Sequence, residues 1–291
     1  MDSNSVPVYR VSEREWILMD SGLNYEGGQL LEFLDREGIQ VLAVLTSHAH
    51  FDHMGNHRLL QERMGAKLVM TAMDAGTVKD ATSLKTCFYS STAKEIERKV
   101  GYMVCQADRI LFPWERQFQI EGATFWQFPL PGHAASHVGY RTQDGVLYVG
   151  DALMSRGILA ERSLAYMLDW RLAFQTMKDL SKMPAQAWIL AHGGWVREIE
   201  GLAQDNIRMY QEILQKMWEL MGQEFYQEEA LERLIPYLHL KVKNPPHARM
   251  TERIIRSGLE YLTDSGQLEV QVKRGRLAYL SRRNIETIVS K

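Results

Sequence analysis

The residues of this 291-residue chain best suited to chemistry are three histidines and an aspartate within six positions. His48, His50, Asp52 and His53 form the pattern His-x-His-x-Asp-His. Protonated imidazoles this close together would repel one another, and they would gain little as core residues. Neutral imidazole and carboxylate are ligands that Zn²⁺ accepts, with iron and manganese as alternatives. The cluster therefore predicts a metal site.

The element that must position this cluster is the apolar run at residues 41–45, which leads directly into it. A continuous apolar run is typical of a strand that is buried on both faces. Such a strand can aim a tight loop at a fixed place. Strand and helix patterns alternate on either side of the run, which predicts an α/β fold. A hairpin is predicted where Asp144-Gly145 separates two strand patterns at 138–141 and 146–149.

The ordered motifs of the chain resemble the metallo-β-lactamase-fold hydrolase superfamily, including its glyoxalase II-like members. The His-x-His-x-Asp-His signature of that family is matched without departure. Four further motifs stand in the family's order over about residues 14–194: Asp20-Ser21-Gly22, Pro131-Gly132-His133, Val149-Gly150-Asp151 and Leu190-Ala191-His192-Gly193. Five ordered motifs are far more specific than any one of them.

The resemblance implies a set of metal ligands and two Zn²⁺ ions, with iron or manganese as alternatives. One metal would be bound by His48, His50 and His133, the other by Asp52, His53 and His192, and Asp151 would bridge both. Asp52 is also the expected catalytic residue. Asp20 and His137 are expected to support the ligands from outside, whereas His57 is expected on the surface.

The fold implied for residues 1–195 is an αββα sandwich, with an insertion at about 74–118 that either covers the site or decorates it. Residues 196–291 form the predicted second domain, in which helical spacing dominates and Asn244-Pro245-Pro246 interrupts the chain. A helix pattern and then two strand patterns around Arg274-Gly275 follow. Helix and then hairpin is the closing order of a winged-helix module, which we predict here.

Composition and charge limit the protein class. Apolar residues make up 45% and charged residues 24%, as in globular proteins, which excludes a disordered or fibrous chain. The net charge is −2, yet residues 240–291 hold eleven Lys and Arg against five Asp and Glu. Such a basic segment binds nucleic acid or forms a solvated surface. No run has signal-peptide or membrane-spanning character, so a cytoplasmic location without membrane contact is expected.

Three functions compete. The favoured hypothesis is a hydrolase in which a metal-bridging hydroxide attacks an ester, thioester or lactone carbonyl of a small metabolite. A nuclease or phosphodiesterase that uses the basic segment is the alternative, since the same metals suit attack on phosphorus. A non-catalytic regulator is the third, and the complete ligand set argues against it. A small molecule is thus the first expected partner and nucleic acid the second. A homodimer is a further alternative, because winged-helix modules commonly dimerise.

Overall fold

The first of two central sheets contains the strand that leads into the His-x-His-x-Asp-His loop. The computed structural model describes residues 4–88, 91–160, 166–220, 224–238, 240 and 242–282. The strands are β1 (Val8–Arg10), β2 (Glu15–Met19), β3 (Gln40–Leu45), β4 (Lys67–Thr71) and β5 (Arg109–Leu111). They are ordered β1-β2-β3-β4-β5, with β2 to β5 parallel and β1 antiparallel. The predicted buried strand at 41–45 is thereby confirmed as β3.

The second sheet has six strands and is mainly antiparallel. They are β6 (Gln117–Ile120), β7 (Ala123–Pro129), β8 (Val138–Arg141), β9 (Val146–Tyr148), β10 (Ala187–Leu190) and β11 (Gly194–Val196). Their order is β11-β10-β9-β8-β7-β6, in which β9 and β10 pair in parallel. The predicted hairpin is confirmed as β8–β9, and Gly145 in its turn has a φ of +82°.

Side-chain alternation along the strands sorts the core into layers, because successive residues of a strand point to opposite faces. On β2, Ile17 shares a core with Phe125 and Tyr148 of the second sheet, so the two sheets pack face to face. Leu18 instead joins a core that includes Leu34 of the first helix. The helices on this outer face are α1 (Gly27–Glu37), α2 (His57–Met64), α3 (Ala72–Val78) and α4 (Ala93–Val100).

Helices also cover the outer face of the second sheet, which confirms the predicted αββα fold. In chain order they are α5 (Arg156–Ala160), α6 (Trp170–Leu180) and α7 (Glu200–Leu220). Trp170 of α6 packs edge-on against Tyr210 of α7, with ring centroids 5.7 Å apart. Within the predicted insertion at about 74–118, Arg109–Leu111 form β5 and the last two residues begin β6, so the segment outside the sheets ends before residue 109.

The C-terminal residues continue this helical layer and add a small sheet. They form β12 (Glu224–Tyr226), α8 (Gln227–Tyr237), α9 (Pro245–Asp264), β13 (Leu268–Lys273) and β14 (Arg276–Ser281). The sheet is antiparallel in the order β12-β14-β13, and Arg274 and Gly275 turn the predicted hairpin with positive φ angles. This type of turn suits the twist of a two-residue hairpin. The winged-helix assignment stays a prediction.

One hydrophobic core crosses the predicted domain boundary at residue 195. Leu147 and Leu190 of the second sheet belong to the same buried cluster as Ile255 of α9 and Tyr279 of β14. The C-terminal helices therefore pack on the sheet that carries part of the site. Of the helices that the structure describes, none combines the length and apolarity required to cross a bilayer.

Candidate metal centre

The seven predicted ligands lie in four loops, each of which follows a strand. His48, His50, Asp52 and His53 follow β3, His133 follows β7, Asp151 follows β9, and His192 follows β10. Strand β3 belongs to the first sheet and the other three strands to the second, so both sheets contribute to the centre. The structure brings all seven residues together in two adjoining groups.

The first group, the three-histidine cluster, consists of His48, His50 and His133. His50 Nδ1 lies 2.9 Å from His48 Nε2 and 2.9 Å from His133 Nε2. Burial lowers the pKa of His48 and of His50 well below the ordinary value, and neighbouring imidazoles lower it further. Burial also lowers the pKa of His133. The cluster therefore presents neutral imidazoles, the form that binds metal.

The second group, the mixed cluster, consists of Asp52, His53, Asp151 and His192. His192 Nε2 lies 3.5 Å from Asp52 Oδ2 and 3.5 Å from Asp151 Oδ2. The other oxygen of Asp151, Oδ1, lies 3.4 Å from His53 Nε2. Asp151 Oδ2 is also 3.4 Å from His133 Nε2, so this carboxylate lies between the two clusters.

The mixed cluster favours positive charge. Burial by itself would lower the pKa of His53, but the carboxylates of Asp151, Asp52 and Asp20 raise it well above the ordinary value. The same two carboxylates of the cluster raise the pKa of His192 to about 9 against the effect of burial. A divalent cation would replace the protons held there, since metal binding to imidazole releases protons.

Asp20 orients the His53 ring from behind. His53 Nδ1 lies 2.7 Å from Asp20 Oδ2, which also accepts hydrogen bonds from Tyr148 OH and Ser47 Oγ, each at 2.6 Å. Because a carboxylate accepts, the proton of the neutral ring lies on Nδ1 and Nε2 faces the mixed cluster. Such a partner fixes the tautomer of a ligating histidine. Asp20 adopts this position with a φ of +63°.

His137 lies beside the three-histidine cluster and outside both groups of converging ligand atoms. Its ring centroid is 4.8 Å from that of His48, and its Nδ1 donates a hydrogen bond to Leu130 O at 3.1 Å. Burial lowers the pKa of His137 to about 3, so the ring is neutral. Gly150 packs so closely on His137 Nε2 that a Cβ atom there would collide with it.

The expectation that His57 lies on the surface is wrong. Its side chain is fully buried, with Nδ1 2.7 Å from Ser21 Oγ and Nε2 2.8 Å from Thr46 Oγ1. Burial lowers the pKa of His57 to about 4. The neutral ring thus links the Asp20 motif to the end of β3. His57 is also the first residue of α2, the helix that follows the first ligand loop.

Asp74 is a buried residue of the site that the sequence did not reveal. Its Oδ1 accepts hydrogen bonds from Ala49 N at 3.0 Å and from Ser136 Oγ at 2.6 Å, and its Oδ2 accepts one from Thr71 Oγ1 at 2.7 Å. Ala49 lies inside the His-x-His pattern, and Ser136 lies in the loop of the third ligand motif. Asp74 therefore ties together the two loops that form the three-histidine cluster.

The ionisation of Asp74 is expected to affect stability. Burial raises its pKa from 3.8 to about 6. The carboxyl of Asp74 binds its proton more tightly in the native protein than in the unfolded chain. The protonated carboxyl therefore adds to the free energy of unfolding below pH 3.8, and this stabilisation is lost as the pH rises through about 6. Asp74→Asn cannot ionise, so its free energy of unfolding should fall less than that of wild type between these values. Urea denaturation of chelator-treated protein measures the difference.

The matched control for this comparison is Asp35→Asn, because Asp35 is exposed on α1. Its stability should follow the wild-type curve at each pH. If Asp74→Asn also follows the wild-type curve, Asp74 does not titrate in this range and the prediction is wrong.

The chemistry of the centre fits a divalent metal. Two of its buried atoms, His53 Nε2 and Asp151 Oδ1, lie 3.4 Å apart without forming a hydrogen bond to each other or to any other group that the structure describes. Buried polar atoms are rarely left without a partner. The donors are imidazole nitrogens and carboxylate oxygens, which suit zinc, iron and manganese.

Curated proteins with similar sequences include two named hydroxyacylglutathione hydrolase. The one from Chromohalobacter salexigens is 24% identical over 143 residues, which cover 48% of this chain and 44% of that protein. The one from Synechococcus sp. is 27% identical over 180 residues, which cover 58% of each chain. The chain thus spans about half the length of these curated relatives.

The solved structures and the family model agree on the fold. A metallo-beta-lactamase family protein from Thermus thermophilus is similar in fold, with a TM-score of 0.72 and 18% identity. The likeness covers 94% of this chain and 92% of that one, so it includes the C-terminal helices. Residues 2–192 match the family model described as the metallo-beta-lactamase superfamily, and these residues contain all seven candidate ligands. The chain belongs to the metallo-beta-lactamase superfamily.

Proposed function

We propose that the protein is a dinuclear metallo-hydrolase, with zinc as the first choice of metal. The three-histidine cluster would bind one cation and the mixed cluster the other. The observation that carries the proposal is the place of Asp151, whose Oδ2 atom is 3.4 Å from His133 Nε2 and 3.5 Å from His192 Nε2. Two bound cations would polarise a carbonyl group and make water nucleophilic at neutral pH.

Asp52 is the proposed catalytic residue. Its carboxylate is partly exposed, unlike the buried Asp151, and Asn4 Nδ2 donates to Asp52 O at 2.8 Å and to Oδ2 at 3.1 Å. Burial opposes ionisation, but His53 and His192 hold the pKa of Asp52 well below its usual range. The carboxylate therefore stays charged, and it can accept a hydrogen bond from the attacking water and orient it.

The proposed substrate is a small acyl compound, with a thioester as the first candidate, followed by an ester or lactone. The support is the name of the two relatives, since hydroxyacylglutathione is a thioester. A thioester also suits the centre chemically, because the developing negative charge on the carbonyl oxygen would lie against a strongly cationic site.

The nuclease alternative receives less support from the C-terminal residues. Several basic side chains there form ion pairs with glutamates of the same protein, which reduces their availability for phosphates. The pairs are Lys273–Glu224, Arg276–Glu228, Arg256–Glu252 and Arg249–Glu95, at 2.6–3.2 Å. The basic composition of the segment therefore overstates its free positive charge.

The test is a hydrolysis screen with purified protein supplied with Zn²⁺ or Mn²⁺. We expect turnover of acyl thioesters or lactones, and loss of that turnover to background in Asp52→Ala. The matched control is Asp35→Ala, which replaces an exposed aspartate on α1 and should keep wild-type rates.

Two results would contradict the proposal in different ways. Cleavage of bis-p-nitrophenyl phosphate or single-stranded RNA without acyl hydrolysis would favour the nuclease. Unchanged activity in Asp52→Ala would exclude the proposed role of Asp52 and the two-metal arrangement with it.

A further inference from the structure

The loop before α6 contacts the three-histidine cluster directly. Tyr166 O accepts a hydrogen bond from His133 Nδ1 at 2.9 Å. Because a carbonyl oxygen can only accept, His133 carries its proton on Nδ1, and the lone pair of Nε2 faces His50 Nδ1. The Tyr166 ring also packs edge-on against His50, with centroids 5.4 Å apart. This loop therefore sets both the tautomer and the orientation of His133.

Helix α9, which is distant in sequence, holds this loop through two residues one turn apart. Ser257 Oγ donates to Met167 O at 2.7 Å and accepts from Trp170 Nε1 at 2.9 Å. Arg253 lies over the Tyr166 ring, with its guanidinium carbon 5.2 Å from the ring centroid. Arg253 also donates a hydrogen bond to Cys87 O. The C-terminal helix thus contacts the residues on both sides of the carbonyl that orients His133.

The same loop is tied at its other side to the third ligand motif. Leu168 N and Asp169 N both donate to Gly132 O, at 2.9 and 3.0 Å. Gly132 has a φ of +132°, and a Cβ atom there would collide with the backbone of Ala173 in α6. A shift of the loop would therefore move both Gly132, which precedes His133 in the chain, and Tyr166 O, which accepts the hydrogen bond from His133.

We propose that Arg253 and Ser257 of α9 are positioning residues for the three-histidine cluster, which they order by holding residues 166–170 against His133. The inference rests on the proposed metal-binding function. Partners behind a ligating histidine commonly change metal affinity by about 10- to 100-fold when they are removed. Arg253 and Ser257 act one contact further away, so we expect an effect near the lower end of that range.

The experiment is a Zn²⁺ titration of the metal-free full chain against a chromophoric chelator. His133→Ala identifies the binding step that belongs to the three-histidine cluster. Ser257→Ala and Arg253→Met should weaken that same step about tenfold and leave the other step within about twofold. Arg253 is only partly buried, so its variant provides a test even if Ser257→Ala does not fold.

Two matched controls separate positioning from general effects of substitutions in the C-terminal part. Ser265→Ala removes a hydroxyl at the end of α9 that bonds to Leu262 O and Gln267. Arg276→Met removes another arginine that lies over a tyrosine, since its guanidinium carbon is 4.1 Å from the Tyr226 ring centroid. Both controls should retain the wild-type affinity of both steps.

Three outcomes would overturn the inference. Unchanged affinities in Ser257→Ala and Arg253→Met would show that α9 does not position His133. Equal weakening of both steps, together with a loss of thermal stability, would show a general structural role. If wild type binds no Zn²⁺, the proposed function fails as well, which distinguishes that failure from the first two.

Discussion

Asp151→Asn is expected to reduce hydrolysis to background and to remove at least one of the two proposed metal ions. The side chain keeps its shape but loses the negative charge that lies between His53, His133 and His192. Removing one partner of a buried charge pair commonly costs about 3–5 kcal/mol. This corresponds to about two to four powers of ten in metal affinity. Metal content by mass spectrometry of the purified variant measures the loss.

Asp35→Asn provides the same chemical change at an exposed position, and this variant protein should have the wild-type metal content. The proposal that Asp151 joins the two clusters fails if Asp151→Asn binds the wild-type amount of metal with wild-type affinity. A loss confined to the mixed cluster would instead assign Asp151 to that cluster alone.

Asp20→Asn is expected to destabilise the metal-free protein by about 3–5 kcal/mol, because it breaks a buried pair with His53. Ser47 N donates to Asp20 Oδ1 at 2.7 Å, so an asparagine that keeps this bond with its amide oxygen turns its amide nitrogen, which cannot accept, toward His53 Nδ1. The ring then favours the other tautomer, whose proton lies on Nε2, where the metal would bind. We therefore expect metal affinity at the mixed cluster to fall by about 100-fold, at the upper end of effects seen for such partners.

Tyr148→Phe is the matched comparison for Asp20→Asn, since it removes one of the hydrogen bonds to Asp20 without changing the charge. Tyr148→Phe should lower the free energy of unfolding by about 1 kcal/mol and leave metal affinity nearly unchanged. Chemical denaturation and metal titration provide both measurements. Equal effects of the two variants would show that the tautomer of His53 does not depend on the charge of Asp20.

The sandwich and the set of seven candidate ligands were implied by the resemblance to the metallo-β-lactamase superfamily, and that resemblance rests on short motifs that are legible in the sequence. The run that became β3 is apolar on both faces, and each later motif stands directly after a strand pattern. Strands of three residues, such as β1 and β12, are too short to show alternation, and they were missed for that reason.

Long-range hydrogen bonds were not predictable in the same way. An acid three residues after Thr71 is typical of a helix cap, and nothing local shows that Asp74 also bonds to Ala49 and Ser136. His57 stands in a helix with mostly polar neighbours, so its burial depends on Ser21 and Thr46, which come from other elements. The burial of residues such as Asp74 and His57 depends on partners from distant parts of the chain, and the spacing of residues in the sequence does not reveal those partners.

Because the second sheet shares a core with α9, we expect the chain to unfold as a single cooperative unit. A fragment that ended near residue 195 would expose Leu147, Leu190 and Trp170, which pack with Ile255 and Tyr210 in one cluster. Apolar patches of that kind promote aggregation in water. The C-terminal residues therefore keep the apolar outer face of the second sheet, which carries part of the metal centre, out of contact with water.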